Sequence, residues 1–169
     1  MKSRLKIALV GNPNCGKSSL FNAITGSRQH VGNWPGKTVE KKEGFCSYQG
    51  TELEIVDLPG TYSLTAYTIE EVITRDFLIT EKPDAVISVI DASNLERNLY
   101  LTIQVLELGV PTVIALNMAD IAKANGIVID IQKLNQALKA PIVETIASDG
   151  KGLQDLLSSV VSLAGEEKG

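Results

Sequence analysis

The sequence predicts an α/β fold: a mostly parallel sheet of six strands with one antiparallel edge strand and helices on both faces. Short apolar runs alternate with longer stretches of helical period, the trace that βα units leave in a chain. Gln49-Gly50 between two strand-like runs marks a tight hairpin, which makes that pair antiparallel. The length, 169 residues, suits one domain.

The elements follow in order. Residues 5–10 read as a buried strand, then a glycine-containing loop, then a helix over 17–25. Residues 27–38 (SRQHVGNWPGKT), rich in Gly, Pro and polar side chains, read as a long loop. Strands over 39–48 and 52–57 form the hairpin pair, and Pro59-Gly60 breaks the chain after the second. A helix over 68–80 leads to a strand over 85–91. Leu95, Leu99, Ile103 and Leu106 recur at helical spacing and mark an amphipathic helix. A strand over 112–117, a helix over 130–139, a strand over 142–145 and a helix over 153–163 complete the count. The domain is expected to span 1–165, with 166–169 a frayed tail or the start of a linker.

Composition narrows the function classes. A formal net charge of −4 argues against a general affinity for nucleic acid or anionic membrane. Cys15 and Cys46 show neither metal-ligand spacing nor a disulfide framework. The N-terminal apolar run is too short for a signal peptide, and no run approaches the ~18 residues of a membrane span, so this stretch is expected to be soluble.

Gly11-Asn-Pro-Asn-Cys-Gly-Lys17-Ser18 matches the phosphate-loop pattern GxxxxGK[ST] in full. Such a loop wraps backbone N–H groups around phosphates at a helix N-terminus. Lys17 is the candidate for the β- and γ-phosphates, and the Ser18 hydroxyl for Mg²⁺. Asp57-Leu58-Pro59-Gly60 closes a predicted strand, where the carboxylate can hold Mg²⁺ and the Gly60 N–H can approach the γ-phosphate. Thr38, ending the 27–38 loop, is placed to give Mg²⁺ a second hydroxyl. Asn117-Met118-Ala-Asp120 resembles the NKxD guanine-recognition motif, with Met118 where lysine is usual; the aspartate would accept from the guanine N1 and exocyclic amine. A base-packing stretch falls near Ala147 and Ser148 and matches its usual pattern loosely. The candidate nucleotide contacts are Gly11, Asn12, Pro13, Asn14, Cys15, Gly16, Lys17, Ser18 and Ser19, then Gly36, Lys37 and Thr38, then Asp57 to Gly60, then Asn117, Met118, Asp120, Ala147 and Ser148.

Together, GNPNCGKSSLFNAITG, VGNWPGKTVEKKEG, DLPGTYSL, DASNLERNLYL and LNMAD resemble the cytoplasmic G domain of the FeoB ferrous-iron transporter family. The resemblance covers nearly the whole chain. It implies a Ras-like phosphate-loop GTPase fold, GTP/GDP and Mg²⁺ as ligands, and GTP hydrolysis that regulates or drives iron uptake. It also implies covalent linkage to a helical regulatory domain and a membrane permease, at the cytoplasmic face of a bacterial inner membrane. On that reading the chain is a piece of a longer protein; the sequence leaves self-association open. The glutamine that orients water in Ras-type enzymes is replaced by Thr61. The resemblance supplies K⁺ instead, held by Asn14 and capped by the carbonyls of Gly32 and Trp34, so the catalytic candidates are Asn14, Lys17, Thr38 and Gly60. Loops 27–38 and 60–67 would be the two switches. Glu40 and Glu43, three apart in a strand, and the single His30 read as solvated surface rather than iron ligands.

Two other classes compete. Soluble GTPases of ribosome assembly or RNA modification carry similar NPNxGKS loops, but that reading calls for a basic extension, which this acidic chain lacks. A nucleotide-binding interaction module with negligible turnover is the other.

Overall fold

The computed structural model describes residues 4–167. Among them the strands are β1 (Arg4–Gly11), β2 (Gln29–Asn33), β3 (Glu40–Tyr48), β4 (Thr51–Asp57), β5 (Ala85–Asp91), β6 (Thr112–Asn117) and β7 (Ile142–Glu144). The helices are α1 (Lys17–Thr25), α2 (Ile69–Thr80), α3 (Leu95–Glu107), α4 (Ala119–Ala124), α5 (Ile131–Leu138) and α6 (Leu153–Glu167). One sheet holds all the strands in the order β2-β3-β4-β1-β5-β6-β7. β3 runs antiparallel to both neighbours, and the other adjacent pairs are parallel. No helix here is long and apolar enough to cross a membrane.

The alternation of β1 splits the core between the two faces. Leu5, Ile7 and Leu9 pack with Leu20 and Phe21 of α1 and Leu156 and Val160 of α6. Ala8 and Val10 pack on the other side with Ile73 and Phe77 of α2 and Leu101 and Val105 of α3. A third cluster joins Ile90, Ile114 and Leu116 to Ala122 of α4. Burial on both faces explains why the central strands are continuous apolar runs. The hairpin expected at Gln49-Gly50 forms, with both residues at positive φ (48° and 82°), as a two-residue turn of the primed kind requires.

Several expectations are corrected. The loop predicted over 27–38 contains β2, so the sheet has seven strands rather than six, and the antiparallel strand β3 is interior. β2 is invisible to periodicity because its residues are mostly exposed; pairing to the free edge of β3, not apolar burial, makes it a strand. Helix α3 buries Asn98, Leu101, Thr102 and Val105, whereas Leu95, Leu99 and Leu106 are partly buried and Ile103 is exposed. A Ser88–Thr102 hydroxyl contact of 2.9 Å lets polar residues occupy the inner face. The short helix α4 was not expected. Helix α6 continues through Glu167, and of the expected tail only residues 168–169 lie outside the described residues.

Two local devices fix the segments that flank the nucleotide-motif loops. Gly44 lies where β3 passes under the end of α1; a Cβ there would sit 2.6 Å from Thr25 Cγ2 and 2.9 Å from the Arg28 carbonyl. Glu71 anchors the 63–68 segment. Its carboxylate accepts from the Ser63 hydroxyl, the Thr65 hydroxyl (2.8 Å) and the Thr68 backbone N–H (3.1 Å), while Thr68 caps α2 through the Glu71 N–H (3.1 Å). This reciprocal capping box satisfies donors at both ends. Donation from Ser63 above all, then from Thr65 and Thr68, outweighs burial and holds the Glu71 carboxyl down to about 2, from an ordinary 4.5.

Gly44→Val is expected to lower unfolding free energy by ~1–3 kcal/mol, because one obstacle is backbone and cannot swing aside; urea titration measures it, and an unmoved midpoint would contradict the close approach. The depressed Glu71 carboxyl stabilises the fold fully above about pH 4.5, its ordinary value, and that contribution is lost as pH falls toward about 2. Urea midpoints measured down this range should fall less steeply for Glu71→Gln than for the unsubstituted chain.

Candidate functional site

Four loops meet at the carboxyl ends of parallel strands, where open α/β sheets place their ligands. The first follows β1. Gly16 adopts φ 88° and Asn14 φ 67°, left-handed conformations that curl residues 11–17 into a nest before α1 begins at Lys17. The second follows β4 and lies on the first: the Leu58 N–H donates to the Leu9 carbonyl at 3.1 Å, and the Thr61 N–H to the Gly11 carbonyl at 3.2 Å. Gly60 is so close that a Cβ would meet Pro13 Cα at 3.2 Å. The third and fourth follow β6 and β7.

Asn117, at the end of β6, joins three of these loops. Its Nδ2 donates to the Cys15 carbonyl (3.2 Å), and its Oδ1 accepts from the Thr145 hydroxyl and the Ala147 N–H, both at 3.1 Å. A Cβ at Gly16 would meet Asn117 Nδ2 at 2.1 Å, so this contact requires glycine at Gly16 for space as well as for its φ. Met118 takes φ 59° and caps α4, and Asp120 is exposed in that helix's first turn. Ala147 is buried and Ser148 exposed, in a 3₁₀ turn over Ala147–Asp149.

An open cleft of about 530 Å³ is lined by Asn12, Pro13, Asn14, Gly16, Lys17, Ser18, Ser19, Gly60 and Met118. Lys17 and Asp57, both buried, form an ion pair beside it. A larger open groove of about 660 Å³ is bounded by residues 92–96, 127–130 and part of α5, and shares no lining residue with the cleft. Burial pushes the Cys15 thiol up to about 11 against the opposing charge of Lys17, so Cys15 is a loop filler rather than a nucleophile.

The structure thus gathers the phosphate-loop candidates, Gly60 and Met118 around one cleft, with Asp57 at its edge and Asn117 behind it. It does not bring the first switch there. None of Gly32, Trp34, Gly36, Lys37 and Thr38 lines the cleft; Gly32 lies within β2, and Thr38 is exposed. Trp34 is buried edge-on against Phe77, ring centroids 5.8 Å apart, with Lys41 Nζ 4.7 Å from its ring centre. Thr61 is 4% exposed, so the residue in the usual glutamine position is turned into the protein.

Sequence reasoning assigned no role to Thr145 or to the polar side chains of DASNLERNLYL. In the structure Asp91, Asn94, Arg97 and Asn98 line a small pocket of about 160 Å³ together with Asn12, Asn14 and Tyr62. The density of polar residues in that run was a usable signal; which loop they face was not.

A family model described as Ferrous iron transport protein B matches residues 5–160. The Fe(2+) transporter FeoB of Escherichia coli (strain K12) is 50% identical over 157 residues, covering 90% of this chain but 20% of that protein, so the chain spans about a fifth of its relative. The FeoB G-domain from Methanococcus jannaschii superimposes with a TM-score of 0.86 at 45% identity, covering 98% of this chain and 99% of that one. An S. thermophilus NFeoB mutant bound to GDP gives 0.87 at 48% identity, covering 92% of this chain and 61% of the other. With the cleft, the sheet order and these likenesses in agreement, the chain belongs to the ferrous iron transport protein B family and corresponds to its G domain.

Proposed function

We propose that this domain binds GTP and hydrolyses it to GDP and phosphate, as the nucleotide switch of a ferrous-iron transport protein. The observation that carries the reading is the convergence of the phosphate loop, Gly60 and Met118 of the Asn117–Asp120 turn on one cleft, with Asn117 bonded to the phosphate loop. Backbone N–H groups of 14–17 cradle the phosphates, and Gly60 approaches the third. Asp120 accepts from the guanine edge, while Ala147 and Ser148 back the base. Lys17 exchanges its Asp57 partner for the β- and γ-phosphates, so a buried charge is never left alone.

The residues fit the expected cations. Ser18 and the Asp57 carboxylate are hard oxygen donors beside the cleft, suited to Mg²⁺, with Thr38 joining once the first switch closes. Asn14 lines the cleft and can offer a neutral amide oxygen to K⁺; Gly32 and Trp34 reach it only if the first switch leaves its pairing with β3. Bound there, these ions would offset the charge that develops in phosphoryl transfer. With Thr61 buried, turnover is slow, on the order of 10⁻⁴–10⁻² s⁻¹ as for GTPases lacking an activating partner. In the full protein the domain would lie on the cytoplasmic side of the membrane, linked to the helical and permease domains, and the GTP/GDP cycle would regulate or drive Fe²⁺ passage.

Phosphate release should be detectable with GTP and not with ATP; a preference for ATP would sink the guanine assignment. Asp120→Asn is expected to weaken GTP binding about 10- to 100-fold, the worth of hydrogen bonds to a charged group, in a fluorescent-nucleotide titration. Hydrolysis should run faster in K⁺ than in Na⁺, and Asn14→Ala should erase that difference; stimulation that survives the substitution would remove Asn14 from the ion site.

A further inference from the structure

The DASNLERNLYL run is the one sequence signal that the nucleotide contacts leave unused. It folds as β5's last residue, a 3₁₀ turn over Ala92–Asn94 and the first turns of α3. The run is braced from within: Asn98 Oδ1 accepts the Asp91 N–H at 3.2 Å, and Asn98 Nδ2 donates to the Asn94 carbonyl at 2.8 Å. The Asp91 carboxylate accepts from the Ser93 N–H and hydroxyl at 2.8 and 2.6 Å. That leaves Arg97, and it touches both nucleotide-facing loops at once. Its carbonyl accepts from Asn12 Nδ2 of the phosphate loop at 3.2 Å. Its guanidinium lies over the ring of Tyr62, 4.8 Å from the centroid, two residues beyond Gly60.

Tyr62 is 47% exposed, and Tyr67 further along is 90% exposed. Two turns along α3, Gln104 Oε1 accepts the Leu64 N–H at 2.7 Å. Positions 97 and 104 share one helix face, so α3 grips the second switch at two points, with Arg97 the one next to Gly60.

We propose that Arg97 is a positioning residue for GTP recognition: by stacking on Tyr62 it holds Gly60 against the phosphate loop, where the Gly60 N–H meets the third phosphate. This rests on the reading of the cleft as a GTP site. Arg97 itself does not touch the nucleotide. Loss of the stack therefore weakens what depends on the third phosphate and spares what depends on the first two. The size follows from the exposure of the pair: an exposed cation–π contact corresponds to a factor of about two to five.

The test is a double-mutant cycle on the 169-residue chain, reading affinity for GDP, affinity for a non-hydrolysable GTP analogue, and turnover at saturating GTP. Arg97→Ala keeps the carbonyl that Asn12 uses, and thermal melting checks that each variant folds. Arg97→Ala and Tyr62→Ala should each lower analogue affinity and turnover about two- to fivefold, with GDP affinity unchanged. The double variant should be no worse than either single, and Tyr62→Phe, which keeps the ring, should behave as the unsubstituted chain. An equal loss of GDP affinity, multiplicative effects in the double variant, or a Tyr62→Phe as impaired as Tyr62→Ala would each overturn the proposal while leaving GTP binding intact. An unsubstituted chain that binds neither nucleotide would overturn the GTP-site reading itself, and this proposal with it.

Discussion

The site depends on one buried side chain, Asn117. Its amide uses both ends: the nitrogen on the Cys15 carbonyl, the oxygen on Thr145 and the Ala147 N–H. These partners lie 102, 28 and 30 residues away in sequence, so a single planar group sets the spacing between the phosphate loop and the base-side loops. Buried at 2% exposure, the amide has no water to fall back on, and an unmade bond there would cost the full desolvation of the orphaned group. The same constraint fixes Gly16, since any side chain at that position would collide with the amide nitrogen.

Charge is the second constraint. The chain is acidic overall, yet its cleft is lined by a cation, Lys17. The position is buried, which is tolerable because Asp57 sits against it. Breaking such a pair by removing one member costs more than the pair is worth, because the survivor stays buried and unpaired. On the proposed function the pairing also suits exchange: phosphate would replace the carboxylate at Lys17, and a divalent cation the ammonium at Asp57.

How much of this the sequence disclosed follows from what each feature rests on. The phosphate loop, the Asp57–Gly60 turn and the Asn117–Asp120 turn are contiguous, and their chemistry is carried by backbone shape and a few fixed residue types, so they were legible. The central strands were legible too, because burial on both faces leaves unbroken apolar runs. β2 was not, since its residues are mostly exposed and its existence depends on the edge that β3 offers. The α3 face was read only in part: Leu95, Leu99 and Leu106 do pack against the core, but Asn98 and Thr102 are buried through hydrogen bonds that periodicity cannot register. The Asn12–Arg97 contact spans 85 residues and could only be seen once folded. Thr145, 28 residues from its partner Asn117, was hidden for the same reason.

These contacts divide the cleft into a fixed half and a yielding half. The proposed base side is tied by a fully buried amide and by β6, which is buried along its whole length. The switch side is tied by an exposed edge strand, an exposed cation–π stack and hydrogen bonds that gather on one carboxylate, Glu71. Segments with few buried apolar contacts open at the lowest free-energy cost. Trp34 in the first stretch, and Thr61 and Leu64 in the second, are the exceptions, buried anchors among more exposed neighbours. Each stretch is therefore pinned at one or two buried points and loose around them, which is the build the proposed switching calls for: a phosphate or a cation, worth only a few hydrogen bonds, would redirect it without disturbing the core.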